Sequence, residues 1–262
     1  MPLPLDPRLG VSTWSLHHRL TDDKFPLLNL PAEVAAHGLS KLEICHFHLP
    51  STDDAYLAEL RSALDTAGVE LFALLIDAGD VTAADPEQRA EDEAFMINWL
   101  DVAARCGAGR ARVIAGNQAP DRDGHALAVS IAALKRLARY AEASGVRLVT
   151  ENWHALLDRP QEVVALLDAL GGQVGLKLDF GNWPAARKYD DLAVIAPLAE
   201  CTHAKAFFPR PGHMDGEDFT RCLDICRDAG FRGPHILIYD SGGDEWGGLN
   251  QMREAALPYV RA

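Results

Sequence analysis

RLVTENWHALLDRPQEVVALLDALGGQVGLKLDF, residues 147–180, is the stretch whose pattern decides the fold. It opens with the apolar run RLVTEN (147–152) and closes with VGLKLDF (174–180). Both runs have the length and the leucine- and valine-rich character of a buried parallel strand. Between them Pro160 stands at the first position of a helix, PQEVVALLDAL (160–170). Strand, helix, strand is a βα repeat, and it propagates in both directions. Further strand candidates are GVSTWS (10–15), KLEICHF (41–47), VELFALLID (69–77), ARVIAG (111–116), THAKAFF (202–208) and HILIYD (235–240). Amphipathic helical segments fall between them at 55–68, 90–106, 126–144, 217–230 and 248–260. In the first of these, Leu57, Leu60 and Leu64 share one face and Gly68 closes the helix. Gly68-Val69, Gly145-Val146 and Gly230-Phe231 repeat the same helix-to-strand junction. Eight such units in about 250 residues predict a (β/α)8 TIM barrel, α/β in class, as a single domain over residues 1–262. A doubly wound sheet would bring a glycine-rich first turn, and strand one leads instead into TWSLHHRL.

Composition narrows the function. With 25 Lys and Arg against 38 Asp and Glu, the net charge is −13. A phosphate backbone demands a basic footprint, so no nucleic-acid partner is expected. No apolar run approaches the ~18 residues of a membrane span, and MPLPLDPRLG carries no signal-peptide pattern. The five cysteines are scattered through apolar segments, which fits reduced core thiols in a cytoplasmic protein. Cys222 and Cys226, four apart, read as packing on one helix face.

Three late strands end on potential metal ligands: Glu151 after RLVT, Asp179 in GLKLD and His203 in CTHAK. Residues at the carboxyl ends of barrel strands converge on one pocket. Glu, Asp and His together suit a divalent metal such as Mn, Zn, Mg or Co. On strand seven, His203 and Lys205 are two apart and share a side. Candidates from the other strand-end loops are Trp14, His17 and His18, His46 and His48, Asp77 and Asp80, and Asn117 and Gln118. Aromatic and amide groups at a barrel mouth suit sugar faces and hydroxyls. Phe207, Phe208 and Trp183 are wall or core residues.

The ordered set ENWH (151–154), LDFGNW (178–183) and HAK (203–205), followed by a last strand and a glycine-rich loop, resembles the sugar phosphate isomerase/epimerase superfamily, the xylose isomerase-like TIM barrels. GVSTWSLHH and HGLSKLEI, which leads to Glu43, resemble that group's first strand and its glycine–strand–Glu segment. The resemblance implies one divalent metal held by Glu, Asp, His and Glu from strands five to eight, with the two Glu as a proton-shuttling pair. Glu151, Asp179 and His203 match the first three, and Lys205 matches the lysine of the H-x-K motif. At the fourth place a gapless alignment puts Ile238; shifts of one or two residues put Tyr239 or Asp240 there, and Glu245 could fold back from the loop.

The expected activity is therefore a metal-dependent isomerase or epimerase of a carbohydrate, a keto-sugar, polyol or sugar phosphate, working through an enediolate. Glu151, Asp240 and Lys205 are the expected catalytic groups, with Glu151, Asp179, His203 and Asp240 on the metal. Trp14, His46, His48, Asn117, His154 and Asn182 are the expected substrate contacts, and a homodimer is compatible with the pattern. The alternatives are a barrel that binds a sugar-like ligand without chemistry, and a dehydratase of a keto-inositol-type compound.

Overall fold

The computed structural model describes residues 3–261. Eight strands, β1 (Asp6–Ser12), β2 (Leu39–Cys45), β3 (Glu70–Leu75), β4 (Arg110–Arg112), β5 (Arg147–Glu151), β6 (Gly175–Asp179), β7 (Ala199–Lys205) and β8 (His235–Ile238), pair in parallel and in sequence order. β8 closes the barrel by pairing with β1, Leu9 opposite His235. A short helix α1 (His17–Thr21) lies in the first loop. The outer layer is α2 (Leu30–Ala36), α3 (Asp54–Ala67), α4 (Pro86–Cys106), α5 (His125–Ala143), α6 (Pro160–Leu170), α7 (Lys188–Ile195), α8 (Gly216–Asp228) and α9 (Glu245–Val260). The expected (β/α)8 barrel is thus the observed one. Helices α2 and α7 were not expected; at two turns each they are too short for a clear apolar period. Among the described residues no helix is long and apolar enough to cross a membrane.

Local chemistry fixes the boundaries. β1 stops at Ser12 rather than running to Ser15, because the Ser12 hydroxyl accepts from the Trp14 amide at 3.2 Å and turns the chain into a 3-10 helix. Gly68 and Gly107 end α3 and α4 in the left-handed region (φ 66° and 82°), where a side chain would be strained. Asp85, Asp215 and Asp244 cap α4, α8 and α9 through their side chains. Leu57, Leu60 and Leu64 of α3 are buried as their spacing predicts, each worth about 1.5–3 kcal/mol. All five cysteines are free and buried, Cys222 and Cys226 on the inner face of α8.

Strand alternation separates two apolar regions. Leu176, Leu178, Ala204, Leu237 and Tyr239 pack outward into the layer between barrel and helices. Cys45, Phe72, Leu75, Cys201, Ile236 and Ile238 form a second cluster in the bore. On β5, β6 and β7 the inward face ends polar at the carboxyl rim, Val149 leading to Glu151, Lys177 to Asp179 and Cys201 to His203, whereas β8 stays apolar from Ile236 to Ile238.

His235 begins β8 as a buried neutral base. It shares a 2.9 Å hydrogen bond with the Thr202 hydroxyl and lies against Phe231, ring centroids 5.0 Å apart. Burial, and then Arg8, push its pKa from 6.5 down to about 3. The unfolded chain therefore binds this proton first, so the stability His235 contributes is complete above pH 6.5 and is lost as pH falls toward about 3. Urea midpoints measured across that window should fall less steeply for His235→Gln than for the wild type; parallel curves would contradict the assignment.

Candidate active site

A cavity of about 260 Å³ opens at the carboxyl ends of the strands. Ser12, Cys45, Leu75 and Ile238 form its apolar and small-residue surface, and Trp14, Phe47 and Trp153 its aromatic one. Its charged surface comes from Asp77, Arg112, Glu151, Asp179, His203, Lys205 and Asp240.

At its centre one donor atom each from Glu151, Asp179 and His203 lie within 4.8 Å of one another, all three residues buried. His203 Nδ1 is 3.3 Å from Glu151 Oε2 and 3.7 Å from Asp179 Oδ2. The other acceptor positions are already taken. Asn182 Nδ2 donates to Glu151 Oε1 at 2.8 Å, and the Gly181 amide donates to Asp179 Oδ1 at 2.6 Å. Glu151 Oε2 is buried and has no hydrogen-bond partner. Arg112 Nε approaches it to 3.2 Å, an ion-pair contact without hydrogen-bond alignment.

The backbone beneath is pinned by Asn152. Its side chain accepts from the Asp179 amide at 2.7 Å and donates to the Asp179 carbonyl at 3.1 Å, tying the ends of β5 and β6 together. Arg112, on β4, extends its guanidinium to Asp77 Oδ1 at 2.5 Å and lies over the Trp153 ring at 5.1 Å.

The charges are strongly coupled. Burial raises the Glu151 carboxyl, but His203 and Arg112 outweigh it and hold the group below its ordinary value. Burial and the neighbouring Glu151 raise Asp179. Burial and Lys177 lower His203, yet Glu151 and Glu43 carry it above its ordinary value. Two acidic groups and an imidazole facing one another are short of positive charge, and their pKa values part accordingly.

β7 and β8 pair with Lys205 opposite Ile238, so the Ile238 side chain faces the cavity as the gapless reading has it. Tyr239 points away, donating to the Gly242 carbonyl at 2.7 Å and packing on Gly248 and Phe208. Asp240 reaches the cavity only at its rim. It stands outside the three-residue group and pairs with Lys205 at 2.6 Å, because β8 has ended two residues earlier. Glu245 does not enter the cavity either; its carboxylate accepts the His18 and Arg19 amides at 3.0 and 3.2 Å.

Of the expected substrate contacts, Trp14 and Asn182 line the cavity, while His46, His48, Asn117 and His154 do not. His46 Nδ1 accepts the Asp77 amide at 3.2 Å, and its ring is wedged edge-on against Phe95 and Trp99 of α4. His48 is held between Thr13 and His17, both at 2.9 Å, and burial and His17 push its pKa down to about 4. Asn117 is exposed and anchors its loop through its amide on Asp80. His154 takes a positive φ of 62° and lies against Trp153, with its Nε2 buried and unpaired. Trp183 is core, donating to the Leu157 carbonyl at 3.0 Å; Phe208 is buried and Phe207 exposed. Arg112, Phe47 and Trp153 are cavity residues absent from the expected site set, and Arg112 is the charged one among them. Its signal was the alternation Arg110-Ala111-Arg112, two cations on one face of a barrel strand.

No curated protein matches the chain. Among solved structures, D-psicose 3-epimerase from Clostridium cellulolyticum H10, determined with D-tagatose, superposes with a TM-score of 0.72 at 19% identity, over 97% of this chain and 98% of that one. L-ribulose 3-epimerase gives a TM-score of 0.76 at 17% identity, over 97% and 94%. A xylose isomerase-like TIM barrel protein from Mycobacterium smegmatis, in complex with magnesium, gives 0.71 at 17%, over 97% and 96%. At such identities the likeness is one of fold. The family model described as xylose isomerase-like TIM barrel matches residues 31–256, and the chain belongs to that family.

Proposed function

We propose that the protein is an isomerase or epimerase of a small polyhydroxylated carbonyl compound, a ketose or a near relative, and that Glu151, Asp179 and His203 hold a divalent cation at its centre. The observation that carries this reading is the convergence of three buried donor atoms in the cavity, one of them, Glu151 Oε2, without a hydrogen-bond partner. Two carboxylates and one imidazole suit Mn, Mg, Co or Zn, with the remaining positions open to water or substrate. The relatives in the fold family named for epimerases, and the one determined with magnesium, support the same direction.

Held by Glu151, Asp179 and His203, a bound cation would supply a Lewis acid for the substrate carbonyl, making the neighbouring C–H bond more acidic. Glu151 is the base that takes that proton: with Oε2 given to the cation, Oε1, oriented by Asn182 at 2.8 Å, keeps a second lone pair for it. Arg112 and His203 keep it ionised at neutral pH. Lys205 on the β7 side carries a positive charge toward the enediolate oxygen. Burial lowers its pKa, but Asp179 and Asp240 more than restore it. The Lys205–Asp240 pair is the second proton-handling group, in the place left without a carboxylate by Ile238. Trp14, Phe47 and Trp153 offer flat faces to sugar C–H bonds.

A second reading rests on Ile238 itself. An apolar side chain on the β8 wall favours a site that binds a sugar-like ligand without turnover. Protein purified without chelator should contain a divalent metal in stoichiometric amount. Asp179→Asn should weaken Mn²⁺ binding by more than about 100-fold, above the usual cost of an outer-shell change. Asp240→Asn should leave it nearly unchanged; equal losses in both would place Asp240 on the metal.

Incubation of D-psicose, D-tagatose, D-fructose and L-ribulose in D2O, followed by NMR, should show C–H exchange next to the carbonyl for at least one ketose. Glu151→Gln should slow that exchange by about 10²–10⁴-fold. Full exchange in this variant would remove Glu151 as the base. Binding with no exchange in the wild type would select the second reading.

A further inference from the structure

Below the cavity, the bore of the barrel holds a lysine and a glutamate that the chemistry above does not use. Lys177 of β6 and Glu43 of β2 are both 0% exposed, and their charged ends are in direct contact. The two strands are not neighbours, so the pair spans the bore. Lys177 Nζ also lies 5.7 Å from the Phe72 ring centroid. Removing two charges from water costs several kcal/mol per ion, and apolar side chains of similar volume fill such a space at least as well. Stability alone therefore gives no reason for the pair.

The second carboxylate oxygen of Glu43 does. Oε2 lies 2.7 Å from His203 Nε2. An ionised carboxylate only accepts, so Nε2 carries the proton in this contact. In the neutral ring the other nitrogen, Nδ1, then faces Glu151 Oε2 and Asp179 Oδ2 with its lone pair. Lys177 is what allows Glu43 to remain charged in a dry bore, since an unpaired carboxylate there would be strongly disfavoured. Lys177 has no path to substrate, because it is enclosed and its ammonium is engaged.

We infer that Lys177 and Glu43 are positioning residues for His203: together they fix the tautomer and rotation of its ring so that Nδ1 is the atom offered to the group formed with Glu151 and Asp179. The inference rests on reading that group as a cation site. The carboxylate–histidine arrangement follows a general logic for metal-bound imidazoles, and here a buried lysine sustains the carboxylate.

Removing one partner would strand a buried ion, so the test removes both. Glu43→Leu/Lys177→Met takes away the charges and the acceptor; Glu43→Gln/Lys177→Met takes away the charges but keeps an acceptor for Nε2–H. Long-range ¹H–¹⁵N NMR of the metal-free protein, at a pH above the titration of the ring, reads the His203 tautomer. The wild type should show Nε2–H alone. The Leu/Met variant should show a mixture and bind Mn²⁺ about 10–100-fold more weakly, with a urea midpoint equal to or above that of the wild type. The Gln/Met variant should restore tautomer and affinity.

An Nδ1–H tautomer in the wild type overturns the inference outright, whether or not the variants fold. So does an unchanged tautomer and affinity in Leu/Met accompanied by a lower midpoint, which marks the pair as structural only. A wild type that takes up no Mn²⁺ overturns the cation reading instead, and the metal-free tautomer comparison then decides the role of the pair by itself.

Discussion

Acceptor atoms that face one another in a buried space need positive charge beside or between them, and that demand organises the top of this barrel. Glu151 Oε2, Asp179 Oδ2 and His203 Nδ1 meet where three consecutive strands end. The surroundings supply part of the charge. Arg112 approaches Glu151 from β4, Lys205 stands on β7, and the Gly181 amide and Asn182 occupy the oxygens that point away. What is left is one carboxylate oxygen each from Glu151 and Asp179 and a ring nitrogen of His203, an arrangement a divalent cation would complete.

The same electrostatics reach down the bore. A neutral imidazole can serve the upper group only if its far nitrogen is protonated, which calls for an acceptor beneath it, Glu43. A carboxylate in that position calls for a cation in turn, Lys177. The column from Lys177 through Glu43 and His203 to Glu151 links β6, β2, β7 and β5, so one charge requirement is passed across the whole barrel. Ile238 breaks the pattern on the remaining side. It leaves the β8 wall apolar, and the nearest carboxylate there, Asp240, is held by Lys205 at the rim.

Much of this was legible in the sequence, for identifiable reasons. Eight apolar runs separated by helical periods and closed by glycines dictate a barrel, and residues at strand ends converge in any barrel of that size. Glu151, Asp179 and His203 were therefore readable from position alone. The facing of strand eight was not: the alignment left Ile238, Tyr239 and Asp240 open, and it is the observed register that puts Ile236 and Ile238 inside and Leu237 and Tyr239 outside. Partnerships across the bore were not readable. Glu43 meets Lys177 and His203 through the closure of the barrel and through register shifts at Leu42/Glu43 and Leu176/Lys177, neither of which leaves a sequence signal. His46, His48 and His154 were drawn toward the cavity by their place after strands. Their side chains instead support Asp77, Thr13 and Trp153 from behind, because a strand-end loop has two sides and spacing does not say which one a residue takes.

The central claim is that three donors from β5, β6 and β7 hold one divalent cation. Anomalous diffraction from crystals grown with Mn²⁺ tests it most directly. The account predicts a single strong peak in contact with Glu151 Oε2, Asp179 Oδ2 and His203 Nδ1, with Ile238 out of contact and Asp240 still on Lys205. A cavity without anomalous density, or a peak held by Asp240 in place of His203, would contradict it.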